Sequence, residues 1–175
     1  MTEKQEKILN AALALFAEEG YRSTSTSKVA KRAEVSEGLI FRHFGNKEGL
    51  LQAIIQLGEE QASVLFADII TETDPREVIK KFIEMISKTS QDEESIVFWK
   101  LQFKIKWELE MYGEHKTEAV EQVLIKAFTE LRYLQPEKEA NLLLTLMDGL
   151  ATRFILQKSF DLDGTIEFLK QKYKV

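Results

Sequence analysis

Apolar residues recur along most of this chain at intervals of three and four, which is the period of an α-helix with one buried face. The first segment shows the pattern most simply, with apolar positions at Ile8, Leu9, Ala12, Leu15 and Phe16. The sustained two-residue alternation of a half-buried strand is not a feature of the sequence. The pattern therefore predicts an all-α protein.

Capping residues, glycine and proline divide this pattern into about nine helices. Thr2 and Gln5 have the spacing of a capping box at the start of the first helix. Pro75 and Pro136 suit the first positions of the fifth and eighth helices. The predicted helices cover roughly residues 2–19, two short helices within 24–44, and then 46–71, 74–90, 92–112, 116–133, 136–159 and 161–173.

Residues 24–44 parse as two short helices joined by a tight turn. The hydroxyl of Ser36 is expected to cap the second of these helices, Gly45 to end it, and Asn46 to cap the long helix that follows. One small core can form under the two crossed helices from Val29, Ala30, Ala33, Val35 and Ile40.

The outer face of the second short helix is expected to carry polar, cationic and aromatic residues. Its exposed positions would be Glu37, Gly38, Leu39, Phe41, Arg42 and His43. This is the layout of a helix-turn-helix, whose second helix enters the DNA major groove. Spacing alone leaves another interpretation open, which is an amphipathic helical hairpin with a solvated polar face.

Residues 4–51 resemble the N-terminal domain of the tetracycline-repressor (TetR) family of bacterial transcription regulators. The matching features stand at fixed offsets along the segment. They are Leu15-Phe16 before Gly20-Tyr21, the hydroxyl cluster from Thr24 to Ser27, Val29-Ala30, Ala33, Val35-Ser36, Gly38, Phe41 and Phe44 around Arg42-His43, and Lys47-Glu48. The rest of the chain resembles the family only in its helical layout.

The resemblance implies a three-helix helix-turn-helix domain over residues 1–50 and a helical ligand-binding and dimerisation domain over residues 51–175. Side chains of the first domain are expected to meet phosphates, and the start of its third helix is expected to lie nearest the bases. The predicted DNA-binding residues are Thr26, Lys28, Ser36, Glu37, Gly38, Leu39, Phe41, Arg42, His43 and Lys47.

Two positions depart from the family pattern. Many members carry Gly in the turn where this chain has Glu34, and a left-handed conformation there would cost a non-Gly residue roughly 1 kcal/mol. Many members also carry Tyr where this chain has Phe41. The Phe41 ring can still pack against sugar and base edges, but it has no hydroxyl for a phosphate.

The sixth helical segment holds both tryptophans of the chain. It carries two apolar stripes, of which the second consists of Trp99, Phe103 and Trp107. A helix that is apolar on two faces must be covered on both, and core packing with a neighbouring subunit would satisfy this. The other interpretation is that the second stripe lines a pocket for a mostly apolar ligand, together with Phe82, Met85, Phe128 and Met147.

The eighth segment is apolar nearly all round and so must bury a second face against a partner. It resembles the family's dimerisation helix, which pairs with the last helix across a two-fold axis. A dimer also suits a helix-turn-helix protein, because two-fold symmetric proteins bind palindromic half-sites. The predicted interface residues are Leu142, Leu146, Gly149, Leu150 and Arg153.

The charge distribution removes an apparent objection to DNA binding. The chain of 175 residues has a net charge of −5, but residues 1–50 hold 8 basic and 7 acidic residues, so the acidic excess lies in the remainder.

The chain has no Cys, and its N-terminus lacks the apolar core of a signal peptide. Its apolar runs are too short for a membrane span. We therefore expect a cytoplasmic protein.

Catalytic patterns are weak throughout the sequence. The two histidines, His43 and His115, stand in the second short helix and in a charged segment expected to be a loop. No nucleophile elbow or phosphate-binding glycine loop occurs. We predict no enzyme activity, no metal and no cofactor.

Taken together, these features predict a homodimeric transcriptional regulator of palindromic double-stranded DNA. The resemblance implies a repressor that a small, mostly apolar ligand releases from its operator. The alternative is a helix-turn-helix protein whose C-terminal domain binds a protein partner instead of a small ligand.

Overall fold

The structure is a computed structural model that describes residues 1–110 and 118–175, apart from the side chains at positions 61 and 65. The described residues form helices and connecting segments without a strand, so the predicted all-α class is confirmed. In chain order the helices are α1 Glu3–Glu19, α2 Thr26–Arg32, α3 Glu37–Phe44, α4 Lys47–Ile70, α5 Pro75–Thr89, α6 Glu93–Glu108, α7 Glu118–Glu130, α8 Pro136–Leu156 and α9 Leu162–Tyr173.

The predicted caps at Thr2 and Asn46 are present. The hydroxyl of Thr2 accepts from the Gln5 amide, and the Gln5 side chain accepts from the Thr2 amide, which completes the capping box of α1. The Asn46 side chain accepts from the Gly49 amide at 2.7 Å in the first turn of α4. Asp74 caps α5 in front of Pro75.

Three helix ends differ from the prediction. α8 ends at Leu156, short of residue 159, because Gln157 is already extended. α7 ends at Glu130, and Arg132 has a positive φ of 61° that cannot continue a right-handed helix. α6 ends at Glu108. Its predicted end near residue 112, the predicted start of the seventh helix at residue 116, and His115 lie outside the described residues.

The chain folds into two compact units, and the first comprises Met1–Gln61 and Val97–Tyr112. Its core contains the fully buried Phe16 of α1 and Ile40 of α3. Leu101 and Ile105 of α6 are buried in the same core. Residues 51–61 and α6 thus group with the first unit, and the predicted functional domains over residues 1–50 and 51–175 stay a prediction.

The second unit comprises Ala62–Ile96 and Gly113–Val175. In it, α5 packs against α7, α8 and α9, and α7 packs against α8. Phe128 of α7 is fully buried with its ring 5.0 Å from that of Tyr133 and 5.6 Å from that of Tyr173. Burial and the nearby Glu139 carboxylate raise the pKa of Tyr173 to about 12.

Two further searches cover only the described part of the chain. No helix there combines the length and the apolar character needed to cross a membrane. No group of three or more His, Cys, Asp or Glu residues is arranged there to hold a metal ion.

Candidate DNA-binding site

α2 and α3 form a helical pair over a shared apolar core. Val29 and Ala30 of α2 are buried, as are Ala33 in the turn and Ile40 in α3. Ser25 begins α2, since its hydroxyl accepts from the Lys28 amide at 3.2 Å. These contacts give the two short helices the packed arrangement that the spacing predicts.

The turn between the two helices contains a strained residue. Glu34 has a φ of +55°, so this position requires the left-handed conformation in which many family members place Gly. The turn is closed by the Val35 amide, which donates to the Ala30 carbonyl at 3.0 Å. A non-Gly residue at this point carries a conformational cost that the surrounding packing must offset.

The outer surface of α3 remains available for a ligand. Phe41 is 47% exposed, Arg42 and Gly38 are exposed, and Leu39 is half-buried. Within the described part of the chain, the Arg42 guanidinium forms no ion pair. The expected cap by Ser36 is wrong in one respect, because Ser36 is the N-cap residue of α3 but its side chain forms no capping hydrogen bond.

Lys47 fixes the start of α4 to the segment before α2. Its Nζ donates to the Thr24 carbonyl at 2.8 Å and lies 4.3 Å from the centre of the Tyr21 ring. The side chain is half-buried. The predicted contact of Lys47 with phosphate stays a prediction, and the structure adds a second role that the sequence does not reveal.

Two other predicted contact residues are bonded inside the same unit. The Thr26 hydroxyl donates to the Glu37 carboxylate at 2.6 Å, which joins the first turn of α2 to the first turn of α3. Lys28 forms an ion pair with Glu19 of α1 at 2.6 Å. A hydroxyl has one proton, so Thr26 cannot donate to a phosphate while it is bonded to Glu37.

The end of α6 holds the segment that leads into α2. The Glu108 carboxylate accepts from the Arg22 amide at 2.9 Å, and Lys104 Nζ donates to the Glu18 carbonyl at 2.7 Å. Gly20 has a φ of +94°, and a Cβ there would collide with the Glu108 carboxylate. Sequence reasoning missed these residues because 86 positions separate each pair.

The predicted pocket residues fall in different environments. In the second unit, Phe82, Phe128 and Met147 are buried and Met85 is half-buried. In the first unit, the stripe of Trp99, Phe103 and Trp107 runs from half-buried to exposed, and Trp107 is 76% exposed. The exposure of these side chains does not test whether they line a ligand pocket, so the pocket stays a prediction.

The predicted dimer residues lie mostly on the outer face of α8. Leu142 is 46% exposed, Gly149 and Arg153 are exposed, and Leu146 is half-buried. Leu150 differs, because it is only 7% exposed and belongs to the core of the second unit. Whether this face meets a second chain stays a prediction.

The N-terminal part of the chain matches a known family. The sequence model described as "Bacterial regulatory proteins, tetR family" matches residues 8–54. The HTH-type transcriptional regulator YvkB of Bacillus subtilis is 42% identical to this chain over 66 residues, which are 37% of this chain and 35% of YvkB. The chain spans about a third of the length of the curated relatives it matches.

Solved structures share the fold over nearly the whole chain. A transcriptional regulator from Saccharomonospora viridis in complex with choline matches with a TM-score of 0.80 at 19% identity, over 98% of this chain and 95% of that one. FadR from Bacillus subtilis in complex with stearoyl-CoA matches with a TM-score of 0.73 at 21% identity, over 95% of each chain. Residues 8–54 therefore resemble the TetR family of bacterial regulatory proteins in sequence, and the chain shares the fold of these solved regulators.

Proposed function

We propose that this protein is a homodimeric, DNA-binding transcriptional regulator that represses its target and leaves its operator when a small, mostly apolar ligand binds. The observation that carries the proposal is the helix-turn-helix with the outer face of α3 uncovered, in which Phe41 and Arg42 are available for DNA. We expect the protein to act in the cytoplasm and to have no enzyme activity.

The regulatory ligand is proposed from the relatives and from the apolar residues of the second unit. FadR of Bacillus subtilis was solved with stearoyl-CoA, and the Saccharomonospora viridis regulator with choline. An acyl chain would bind by the area of apolar surface it removes from water, whereas a quaternary ammonium would bind over aromatic faces. Both tryptophans of this chain lie on α6, so their fluorescence reports any change that a ligand of either class causes at this helix.

DNA binding is tested by selection from a library of randomised duplexes at one fixed salt concentration. We expect the wild-type protein to enrich a palindrome whose half-sites lie about one helical turn apart. Arg42→Ala should weaken binding and lower the slope of affinity against salt by about one if the guanidinium meets a phosphate. Lys88→Ala, an exposed change in the second unit, is the matched control. A wild-type protein that enriches no sequence contradicts the proposed function.

Ligand response is tested with the enriched duplex. Titration with long-chain fatty acids, acyl thioesters, choline and simple aromatic compounds should change tryptophan emission and release the DNA over the same concentration range. Release by none of these compounds, together with specific capture of a protein partner by the purified full chain, would favour the protein-binding alternative over ligand sensing.

A further inference from the structure

We propose that Glu37, held in position by Thr26, selects cytosine at one position in each half-site of the bound DNA. This inference rests on the proposed function, because it assigns a base to a residue of the same DNA-binding surface. Glu37 is the first residue of α3. The first residues of a recognition helix are those that contact base edges in helix-turn-helix proteins.

The Glu37 carboxylate is held by one defined contact. The Thr26 hydroxyl donates to Oε1 of Glu37 at 2.6 Å, and both side chains are half-buried. Thr26 is itself the first residue of α2, so the bond joins the starts of the two helices. A bond of this length to a carboxylate is charge-assisted and restricts the orientation of the side chain.

The second oxygen of the same carboxylate is free to accept. Among the described residues, Oε2 of Glu37 has no hydrogen-bond partner. Two cationic side chains of the same unit have other partners, since Lys28 pairs with Glu19 and Lys47 donates to the Thr24 carbonyl. An anionic side chain is also favoured at a helix N-terminus, so the carboxylate suits its position without a cationic partner.

The chemistry of the major groove then decides which base fits. A carboxylate only accepts hydrogen bonds. Guanine and thymine present acceptors at O6, N7 and O4, which repel it, whereas cytosine presents the N4 amino group as a donor. Adenine offers a donor at N6, but the acceptor N7 lies beside it. Because a carboxylate near phosphates is repelled unless a donor compensates, Glu37 disfavours the other bases as well as favouring cytosine.

The test compares base preference in variants that keep the fold. Wild type, Glu37→Gln, Thr26→Val and the control Glu6→Gln are selected against the same randomised duplexes at one salt concentration. Glu6→Gln removes one exposed carboxylate of the same unit from α1. Thermal melting by circular dichroism shows that each variant is folded. Competition between duplexes that differ at the single enriched base pair then measures the preference.

We expect wild type and Glu6→Gln to prefer cytosine at one half-site position by about tenfold. Glu37→Gln should move that preference to adenine, because an amide can pair with N6 and N7 of adenine. Thr26→Val should keep cytosine with a several-fold smaller preference. All other half-site positions should be unchanged, which separates a positioning role from a general loss of structure.

Two outcomes overturn the inference, and they are distinguishable. If wild type selects a palindrome and Glu37→Gln selects the same bases at every position, the proposed function stands and the assignment of Glu37 is wrong. If wild type enriches no sequence at all, the proposed function fails and the assignment fails with it.

Discussion

Glu34 shows what one residue contributes at the turn of the helix-turn-helix. Its φ of +55° is a conformation that costs a residue with a Cβ, and the closing bonds of the turn hold it there. The chain therefore tolerates an unfavourable backbone conformation in the turn that joins α2 to α3. The conformational cost lies in the turn, outside the exposed face of α3.

We expect Glu34→Gly to raise the free energy of unfolding by about 0.5 to 1 kcal/mol, because glycine adopts the left-handed region without steric cost. The measurement is the urea midpoint at neutral pH. Glu6→Gly is the matched control, because Glu6 is an exposed residue of α1. Glycine at this helical position should lower the free energy of unfolding by up to about 1 kcal/mol. Destabilisation by Glu34→Gly would contradict the assignment of strain to this turn.

Lys47 and Thr26 are two predicted DNA-binding residues whose side chains form hydrogen bonds within the protein. Their contacts with DNA stay predictions, and both side chains have partners within their own unit, the Thr24 carbonyl for Lys47 and the Glu37 carboxylate for Thr26. Residue type and position along α2 or α4 made them candidates. Only the packed structure shows which of their donors are already engaged.

At the scale of elements, α6 belongs in part to the first unit, which contains the helix-turn-helix. Leu101 and Ile105 are buried in its core, and Glu108 and Lys104 bond the end of α1 and the segment after it. Gly58 of α4 lies so close to Phe98 of α6 that a Cβ would collide with the ring. A change in α6 would therefore act on the segment that leads into α2.

We expect Glu108→Ala to speed hydrogen exchange of the Arg22 amide, because that amide loses its acceptor. Affinity for the selected DNA should fall several-fold if the segment after α1 loosens. Amide exchange followed by mass spectrometry and a duplex-binding titration are the measurements. Lys100→Ala, an exposed change on the same helix, should alter neither. Unchanged exchange at residues 20–24 would show that Glu108 does not restrain this segment.

The connection between α4 and α5 is held by an ionic cluster. Lys81 contacts the Asp68 carboxylate at 2.9 Å and the Glu72 carboxylate at 2.8 Å. Glu72 also accepts from the Thr73 amide at 2.7 Å. The bond with Lys81, followed by the bonds from the Asp74 and Thr73 amides, lowers the pKa of Glu72 to about 2.

The lowered pKa of Glu72 predicts how the free energy of unfolding changes at acid pH. A carboxyl group whose folded pKa is depressed stabilises the fold above its unfolded pKa, near 4.5, and loses that contribution as pH falls through the folded pKa of about 2. Glu72→Gln should therefore be less stable than wild type at pH 6, and the difference should shrink between pH 4.5 and 2. Urea unfolding across that range measures it, with Glu121→Gln of α7 as control. A difference that is independent of pH would contradict this account.

At the scale of the whole molecule, the outer face of α8 bears on assembly. Leu142 is 46% exposed on α8, and Phe168 is 64% exposed on α9. Among the described residues, no atom lies within 4 Å of a Cβ built at Gly149, apart from its own helix backbone and chain neighbours. A Cβ at Gly149 therefore meets no obstacle in the described residues, so a loss of assembly on enlarging this residue would have to come from a partner.

We expect Gly149→Leu to convert the proposed dimer to monomers by overpacking its interface, which should bury more than about 1,200 Å² in total. Sedimentation velocity measures the mass, and circular dichroism should show an unchanged helix content. Gln122→Leu, an exposed change on α7, is the matched control and should leave the dimer intact. A Gly149→Leu variant that still sediments as a dimer would place the interface elsewhere.

The sequence by itself determined the helices and the helix-turn-helix. Spacing of three and four, a capping box at Thr2 and Gln5, and Pro75 at a first helical position are local signals, and they predicted helix starts that the structure confirms. Val29, Ala30 and Ile40 were recognisable as core for the same reason, since one helical period places them on one face. The helix ends were less well predicted because they depend on single backbone conformations, as at Arg132 and Gln157.

Tertiary structure alone decided which distant residues meet. The return of α6 to the first unit, the Glu108 bond to the Arg22 amide and the engagement of Thr26 by Glu37 join positions that no local pattern connects. Side-chain hydrogen bonds depend on distances of a few tenths of an ångström, which follow from the packing of whole helices. Local periodicity therefore determined which elements form, and packing decided which of their polar groups remain free to bind.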